Sequence, residues 1–145
     1  MVVVAIDLPE IEDVIPETRL KALKNGSVKE VRRNQAERKE AWRSLVLGVA
    51  IQIGRTVCAS APSVQRVKTA GYTQRRQRDG SIADEWVYEF MFDRQFLNNL
   101  DPQTLSPLSI VDLPEARILS TADGALKKVP PPAWLSEVEV CPPPG

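Results

Sequence analysis

The period of the hydrophobic positions changes along the chain, and each change predicts an element. Val2 to Ile6 is an uninterrupted run of Val, Ala and Ile, the pattern of a short strand. From there acids alternate with apolar residues between Pro9 and Pro16. Each proline removes a backbone donor and turns the residue before it away from helix, so an extended arm is expected over 1–16. Thr18 to Lys24 predicts a short basic helix that Asn25-Gly26 would stop. Ser27-Val28-Lys29-Glu30 then has the spacing of a capping box, in which the serine hydroxyl takes the backbone N–H of the glutamate and the glutamate reaches back. It predicts the start of the longest helix. Lys29 to Glu40 is nearly all polar, whereas Trp42, Leu45, Val46, Leu47, Val49, Ile51 and Ile53 put apolar groups on almost every side. The helix is expected to be solvated in its first half and buried all round in its second, ending at Ala61-Pro62.

Asp79-Gly80 follows, the preferred pair for a two-residue type I′ turn, with strand-like runs on both sides. Such a turn sets Arg75 opposite Asp84, Thr73 opposite Trp86, Gly71 opposite Tyr88, Thr69 opposite Phe90, Val67 opposite Phe92 and Arg66 opposite Asp93. Opposite charges then pair, and a period of two puts Trp86, Tyr88, Phe90 and Phe92 on one face, expected to pack on the helix around Trp42 to Val57. Asp93 fits the cap of a short helix through Leu100. Leu108 to Leu113 reads as a strand, and Arg117–Ser120 with Ala125–Val129 as a weaker hairpin around Asp123-Gly124. Pro130-Pro131-Pro132 begins an extended exit that Trp134 and Leu135 would dock, before a last strand at Val138 and Val140.

These elements predict an α+β fold: one long helix packed on a small antiparallel sheet of β-hairpins, with extended N- and C-terminal arms. The expected organisation is an acidic arm at 1–16, a core domain at 17–129 and a proline-rich tail at 130–145. A chain of 145 residues has room for one core. With 43% hydrophobic and 26% charged residues it lies near the globular average, which excludes wholesale disorder and a disulfide-dense scaffold.

Charge changes the picture more than composition does. Nineteen Lys+Arg cancel nineteen Asp+Glu, yet the signs are segregated. Residues 1–16 carry four acids and no base, residues 17–80 fifteen bases and five acids (formal +10), and residues 81–145 four bases and ten acids (formal −6). A uniformly basic coat is excluded, and a basic surface on one part of the fold is expected.

Much chemistry is excluded outright. The chain has no histidine, hence no His-based triad, His-ligated metal or imidazole pH switch. Cys58, in an apolar run, reads as a buried free thiol and Cys141 as an exposed one, and two cysteines define neither a zinc site nor a disulfide framework. The glycines are scattered, with no phosphate-cradling loop and no nucleophile elbow. Asp84 and Glu85 are neighbours on a strand and point to opposite faces, so they cannot work as an acid/base pair. Glu10, Glu12 and Asp13 offer oxygen ligands, but an acidic arm is expected to be solvated or docked on basic residues rather than to hold a cation. No catalytic residue, metal or cofactor is therefore expected. Met1 to Ile6 lacks the basic start of a secretory signal, and Ser44 to Gly54, the longest uncharged stretch, falls short of the about 20 residues that span a bilayer. A cytoplasmic protein without a membrane partner is expected.

The basic residues form two groups: Lys29, Arg32, Arg33, Arg38 and Lys39 on the polar helical half, and Arg75, Arg76 and Arg78 at the hairpin tip. Cations on a rigid helix and an exposed hairpin can follow a phosphate backbone without reading bases, which makes these residues the candidate nucleic-acid contacts. Glu30, Glu37 and Glu40 interleave with the helical group at spacings that also suit a plain solvated face, so the tip is the less compensated of the two. The aromatics fall on the core side of the hairpin and leave no stacking platform for single-stranded RNA.

The order of polar-then-apolar helix, Ala-Pro stop and charged hairpin over Ser27 to Asp93 resembles the connector and tail-completion proteins of tailed bacteriophages. The resemblance implies a non-enzymatic, ring-forming homo-oligomer, with copies of itself and neighbouring assembly proteins as partners, acidic arms locking neighbours and the basic hairpin near a DNA channel, in host cytoplasm and virion. The residues alone leave open a free-standing, sequence-nonspecific DNA- or RNA-binding accessory protein, or a small enzyme without a visible site.

Overall fold

A computed structural model describes residues 1–122 and 124–137. The chain forms strand β1 (Val2–Asp7), the single turn α1 (Ile11–Val14), strands β2 (Thr18–Ala22) and β3 (Val28–Arg32), and helix α2 (Gln35–Ser60). Strands β4 (Arg66–Arg76) and β5 (Ile82–Asp93), helix α3 (Arg94–Asn98) and strand β6 (Arg117–Ile118) follow. Short 3-10 helices occupy Pro107–Asp112 and Ala133–Glu137. The class is α+β as expected: one long helix against a four-stranded sheet of order β1-β4-β5-β6, with β2 and β3 as a separate two-stranded ribbon. The expected strand at Val138 and Val140, and Cys141, lie outside the described residues.

The start of α2 corrects the sequence reading. Its cap is Asn34, whose Oδ1 accepts from the Glu37 backbone N–H at 2.8 Å while its Nδ2 donates to the Glu37 carboxylate at 3.3 Å. The serine at 27 instead belongs to a turn: its N–H and hydroxyl both donate to Asn25 Oδ1, at 3.0 and 2.6 Å, and Gly26 adopts a φ of 83°. Two capping signatures compete here, and the second wins because Val28 and Val31 are β-branched and nothing between the two caps has helical apolar period. The expected basic helix at 18–24 is consequently strand β2, paired antiparallel with β3 from Thr18↔Arg32 to Ala22↔Val28.

Helix α2 buries a stripe rather than its whole girth. Trp42, Val46, Leu47, Ala50, Ile51, Gly54 and Cys58 face inward, while Leu45 is exposed and Val49, Ile53 and Val57 are half-buried, correcting the expectation of burial all round. Arg94 fastens the far end: Nε donates to the Val64 carbonyl and Nη2 to the Ala61 carbonyl, both at 2.7 Å, so a cation sits where the helix ends with carbonyls. Cys58 is the buried free thiol expected.

The long hairpin keeps half of its expected register. Arg66↔Asp93, Val67↔Phe92, Thr69↔Phe90 and Gly71↔Tyr88 pair as read from the sequence. Beyond Gly71 the pairing slips by one, so Trp86 lies opposite Tyr72 rather than Thr73, and Arg75 opposite Ala83 rather than Asp84. The turn is the cause. Gly80 N–H donates to the Gln77 carbonyl and Gln77 N–H to the Ser81 carbonyl, making a three-residue loop with Gly80 at φ 86° in place of the expected two-residue turn. A bulge beside Gly71/Tyr72 then restores the inner register, so two one-residue shifts cancel. Because a one-residue slip exchanges faces, Trp86 leaves the helix side and joins Ala70 and Val129, with Tyr72, Trp134 and Leu135 around them, in a second small core behind the sheet. Tyr88, Phe90 and Phe92 stay on the helix side, fully buried.

The N-terminal segment docks on its own chain. β1 runs parallel to β4, from Val2↔Val67 to Asp7↔Tyr72, with Ile6, Leu8 and Ile15 buried. The Trp42 indole N–H donates to the Pro9 carbonyl at 2.9 Å, and Arg38 Nη2 to that of Ile15 at 3.2 Å. Leu108 to Leu113, expected as a strand, is largely the 3-10 helix Pro107–Asp112: Pro107 begins it without needing a donor, Ser109 Oγ donates to the Ser106 carbonyl, and Ile110 is fully buried. The weaker second hairpin forms, with Ser120 bridged to Leu126 and Gly124 at φ 90°.

Gly71 has no room for a side chain. A Cβ there would lie 2.6 Å from Tyr88 Cζ and 2.7 Å from Leu8 Cδ1. Gly71→Ala is expected to cost about 1–3 kcal/mol in chemical denaturation, the usual range for overpacking; an unchanged midpoint would show that the ring is free to move aside.

Candidate nucleic-acid interface

The β2–β3 ribbon is the most exposed regular structure among the described residues, with every residue but Val31 exposed. Its register sorts the side chains by face. Lys21 lies directly opposite Lys29, and Arg19 opposite Val31, so Arg19, Lys21 and Lys29 share one side. Arg33 extends the ladder, its backbone N–H donating to the Glu17 carbonyl at 2.7 Å. Thr18, Leu20, Ala22, Val28, Glu30 and Arg32 take the other side, where Thr18 Oγ1 donates to Glu30 Oε1 at 2.8 Å. Arg19 pairs with Glu37 at 3.3 Å; among the described residues Lys21 and Lys29 have no acidic partner. Two lysines directly opposite each other repel, a cost that an isolated two-stranded ribbon is poorly placed to absorb.

Where the ribbon meets the helix, Arg32, Arg33 and Arg38 line a depression of about 380 Å³ together with Glu17, Asn34 and Gln35. The Nε groups of Arg33 and Arg38 are shut off from solvent without an acceptor. Three guanidinium groups against the one carboxylate of Glu17 leave the lining of this depression with a formal excess of positive charge.

The eight residues expected as nucleic-acid contacts are thus divided. Arg32, Arg33 and Arg38 come together, and Lys29 stands on the adjoining ribbon, with Lys29 and Arg32 on strand β3 rather than on a helix. Lys39 and Arg75 meet instead around a separate cavity with Glu10 and Trp42. Arg75 is also compensated, by Glu85 at 3.3 Å. Arg76 and Arg78 are exposed at the tip of the long hairpin, with Asp79 immediately after Arg78. Hydrogen bonds from the Ser81 hydroxyl and N–H hold the Asp79 carboxyl below its ordinary range, so this anion persists within the tip. Among the described residues neither Arg76 and Arg78 at the tip nor Lys21 and Lys29 on the ribbon form an ion pair; the ribbon differs in setting two cations directly opposite each other.

Arg19 and Lys21 join the candidate set only through the structure. Their signal in the sequence is the period-two run on either side of Asn25-Gly26, which a helical reading of 18–24 hides.

No group of three or more Cys, Asp or Glu among the described residues is arranged to hold a metal ion. No helix among them is long and apolar enough to cross a membrane.

Asn34 ties the ribbon's exit to the helix that presents Arg38. Asn34→Ala is expected to lose about 0.5–2 kcal/mol of stability in thermal or urea denaturation, the cost of an N-cap; a loss below that range would place the cap's work on water. Set against protein-family models, curated proteins and solved structures, the chain matches none of them.

Proposed function

We propose that the protein is a non-enzymatic, sequence-nonspecific nucleic-acid-binding protein that lays the β2–β3 ribbon along a duplex and receives backbone phosphate in the Arg32/Arg33/Arg38 depression. The observation that carries this reading is the Lys21↔Lys29 pair on an uncovered ribbon. The fold meets the repulsion of that pair with no acidic partner among the described residues, whereas a polyanion would remove it. Size agrees. Strands about 4.8 Å apart form a ribbon that a major groove about 12 Å wide admits, and five residues at about 3.3 Å each reach along it for about 17 Å. Arginines at the ribbon's base suit bidentate phosphate contact, and lysines along it act as mobile point charges.

The assembly reading retains one specific observation. Leu20 and Val28, 73% and 61% exposed, share the ribbon's other face with Ala22. A second copy laid on that face would cover them. The acidic N-terminal segment, by contrast, is paired along β4 of its own chain, so this reading rests on the ribbon face rather than on the arm.

The test is a salt titration of binding to a short duplex by the parent, by Lys21→Gln/Lys29→Gln and by Arg76→Gln/Arg78→Gln. The ribbon variant is expected to bind more weakly and to flatten the log–log salt slope by about two units, roughly one for each phosphate no longer neutralised, with the tip variant close to the parent. A parent that fails to bind, or a ribbon variant that matches it at every salt concentration, would overturn the proposal. Light scattering on the same samples reads the assembly alternative, for which a defined oligomer broken up by Leu20→Ser/Val28→Ser is the expected signature.

A further inference from the structure

The main sheet ends on one side at β1, and the outer edge of that strand is bare. β1 pairs with β4 alone, and no other backbone group among the described residues bonds to Val2–Asp7. In a parallel ladder a residue turns its N–H and C=O to one side and the next residue turns them to the other. Leu8 N–H donates to the Tyr72 carbonyl at 2.8 Å, so Val4 and Ile6 also face β4, and Val3, Ala5 and Asp7 turn their backbone groups outward. Ala5 and Asp7 are exposed and Val3 is half-buried.

This edge lacks the usual guards. Sheet edges are ordinarily protected by short length, lysines, proline or a bulge. The opposite edge, β6, is two residues long, and both strands of the ribbon carry Lys and Arg. β1 has six residues, no charge from Val2 to Ile6, no proline and an unbroken register with β4. Its one charge also lacks a partner. Residues paired across strands share a face, so Val3 and Asp7 lie on the same side of the sheet as Lys68 and Tyr72. Lys68 is half-buried and, like Asp7, forms no ion pair among the described residues.

We infer that two copies of the chain join along β1, antiparallel about a two-fold axis at Ala5, so that the two four-stranded sheets become one continuous sheet. The register follows from the backbone. An antiparallel pair exchanges bonds only between residues that both face outward, here Val3, Ala5 and Asp7. With the axis at Ala5, Ala5 meets the partner's Ala5 and Val3 meets the partner's Asp7 on both sides, and all three residues bond. An axis at Val4 would set Asp7 opposite Met1, outside the strand, and one at Ile6 would set Val3 opposite Pro9, which has no N–H.

The same register answers the two lone charges. Lys68 lies one strand to one side of Val3, and the partner's Asp7 lies one strand to the other, on the same face. Two strand spacings of about 4.8 Å are within the joint reach of a lysine and an aspartate across a valine. The two-fold makes this contact twice and closes the assembly at two copies. A segment of another protein would meet the bare edge equally well, but the chain itself supplies a carboxylate where Lys68 lacks one. This interface is separate from the ribbon, and its test contains no nucleic acid.

Light scattering of the full chain is expected to give the mass of two chains, unaltered by Leu20→Ser/Val28→Ser. Ala5→Pro removes an outward N–H and no bond to β4, so it should give a monomer that still melts cooperatively. Asp7→Lys should weaken the dimer by about tenfold or more, and the exchange Asp7→Lys/Lys68→Asp should restore it, a pattern that misfolding does not produce. Register is read by cross-linking in a Cys141→Ser background, where the remaining Cys58 is buried. Ala5→Cys should form a disulfide-linked dimer on mild oxidation, because directly bonded antiparallel residues have Cα atoms about 5.5 Å apart, and Val3→Cys should not. A monomeric parent, a dimer dispersed by the ribbon substitutions or persisting in folded Ala5→Pro, an exchange that fails to restore association, or cross-linking as strong at 3 as at 5 would each overturn the inference. Should Ala5→Pro not fold, the charge exchange and the cross-link decide.

Discussion

The contact on which most of this architecture depends is that of Tyr88 with Gly71. The ring lies across the bare backbone of β4, and its hydroxyl donates to the Val46 carbonyl of α2 at 3.1 Å, so one side chain joins both strands of the hairpin to the helix. Burial raises the phenol's pKa, which keeps the proton on the hydroxyl that donates. Leu8 closes on the same spot, 2.7 Å from where a Cβ of residue 71 would stand, and so couples the end of β1 to the same packing. The bulge begins at the next residue. A close-packed glycine and an abrupt change of strand geometry thus fall together, where the sheet must serve the helix on one side and a second core on the other.

That division shapes the surface. Behind the sheet, Glu89 is nearly buried yet fully engaged: Arg117 donates to one carboxylate oxygen at 3.2 Å and the Trp134 indole to the other at 2.8 Å. The chain after β6 is thereby fastened across β5, and Val129 N–H adds a bond to the Trp86 carbonyl at 2.8 Å. In front, β1 and β4 are parallel, so the chain must cross over between them, and α2 makes that crossing. The ribbon is an insertion in the same connection, after α1 and before α2, which is why it can project from the body without breaking the ladder of the main sheet.

The fold was legible wherever local chemistry and tertiary demand agree. The inner half of the β4–β5 register, the Asp93 cap, the end of α2 and the small second hairpin all follow from nearby residues. Misreadings arise where two local signals of similar strength compete. Ser27-x-x-Glu30 and Asn34-x-x-Glu37 have the same capping form, and only the absence of a core for residues 28–33 decides between them. Asp79-Gly80 suits both a two-residue and a three-residue loop, and the difference moves Trp86 to the other face. For the candidate interface, the cations were legible as residues but their grouping was not. Arg75 and Lys39 join Glu10 only because β4 pairs in parallel with β1, a contact between residues more than 60 positions apart with no sequence signal beyond two apolar runs.

The charge segregation along the sequence acquires a different meaning in three dimensions. Acidic residues near the N terminus and in β5 face part of the basic middle within the same chain: Glu85 pairs with Arg75 and Glu10 stands in the same cavity as Arg75 and Lys39, while Glu37, itself within the basic middle, pairs with Arg19. Part of the formal +10 of residues 17–80 is thus answered from outside that stretch, by Glu85 on Arg75 and by the Ile15 carbonyl that receives the Arg38 guanidinium. Distance from the body decides what is left. Lys21 and Lys29 form no ion pair among the described residues, and they are held opposite each other by backbone bonds rather than by any attraction between side chains. Paired backbone thus maintains a like-charge contact that side-chain energetics alone would disperse, and a surface built in that way gains most from a ligand of opposite charge that touches both lysines at once.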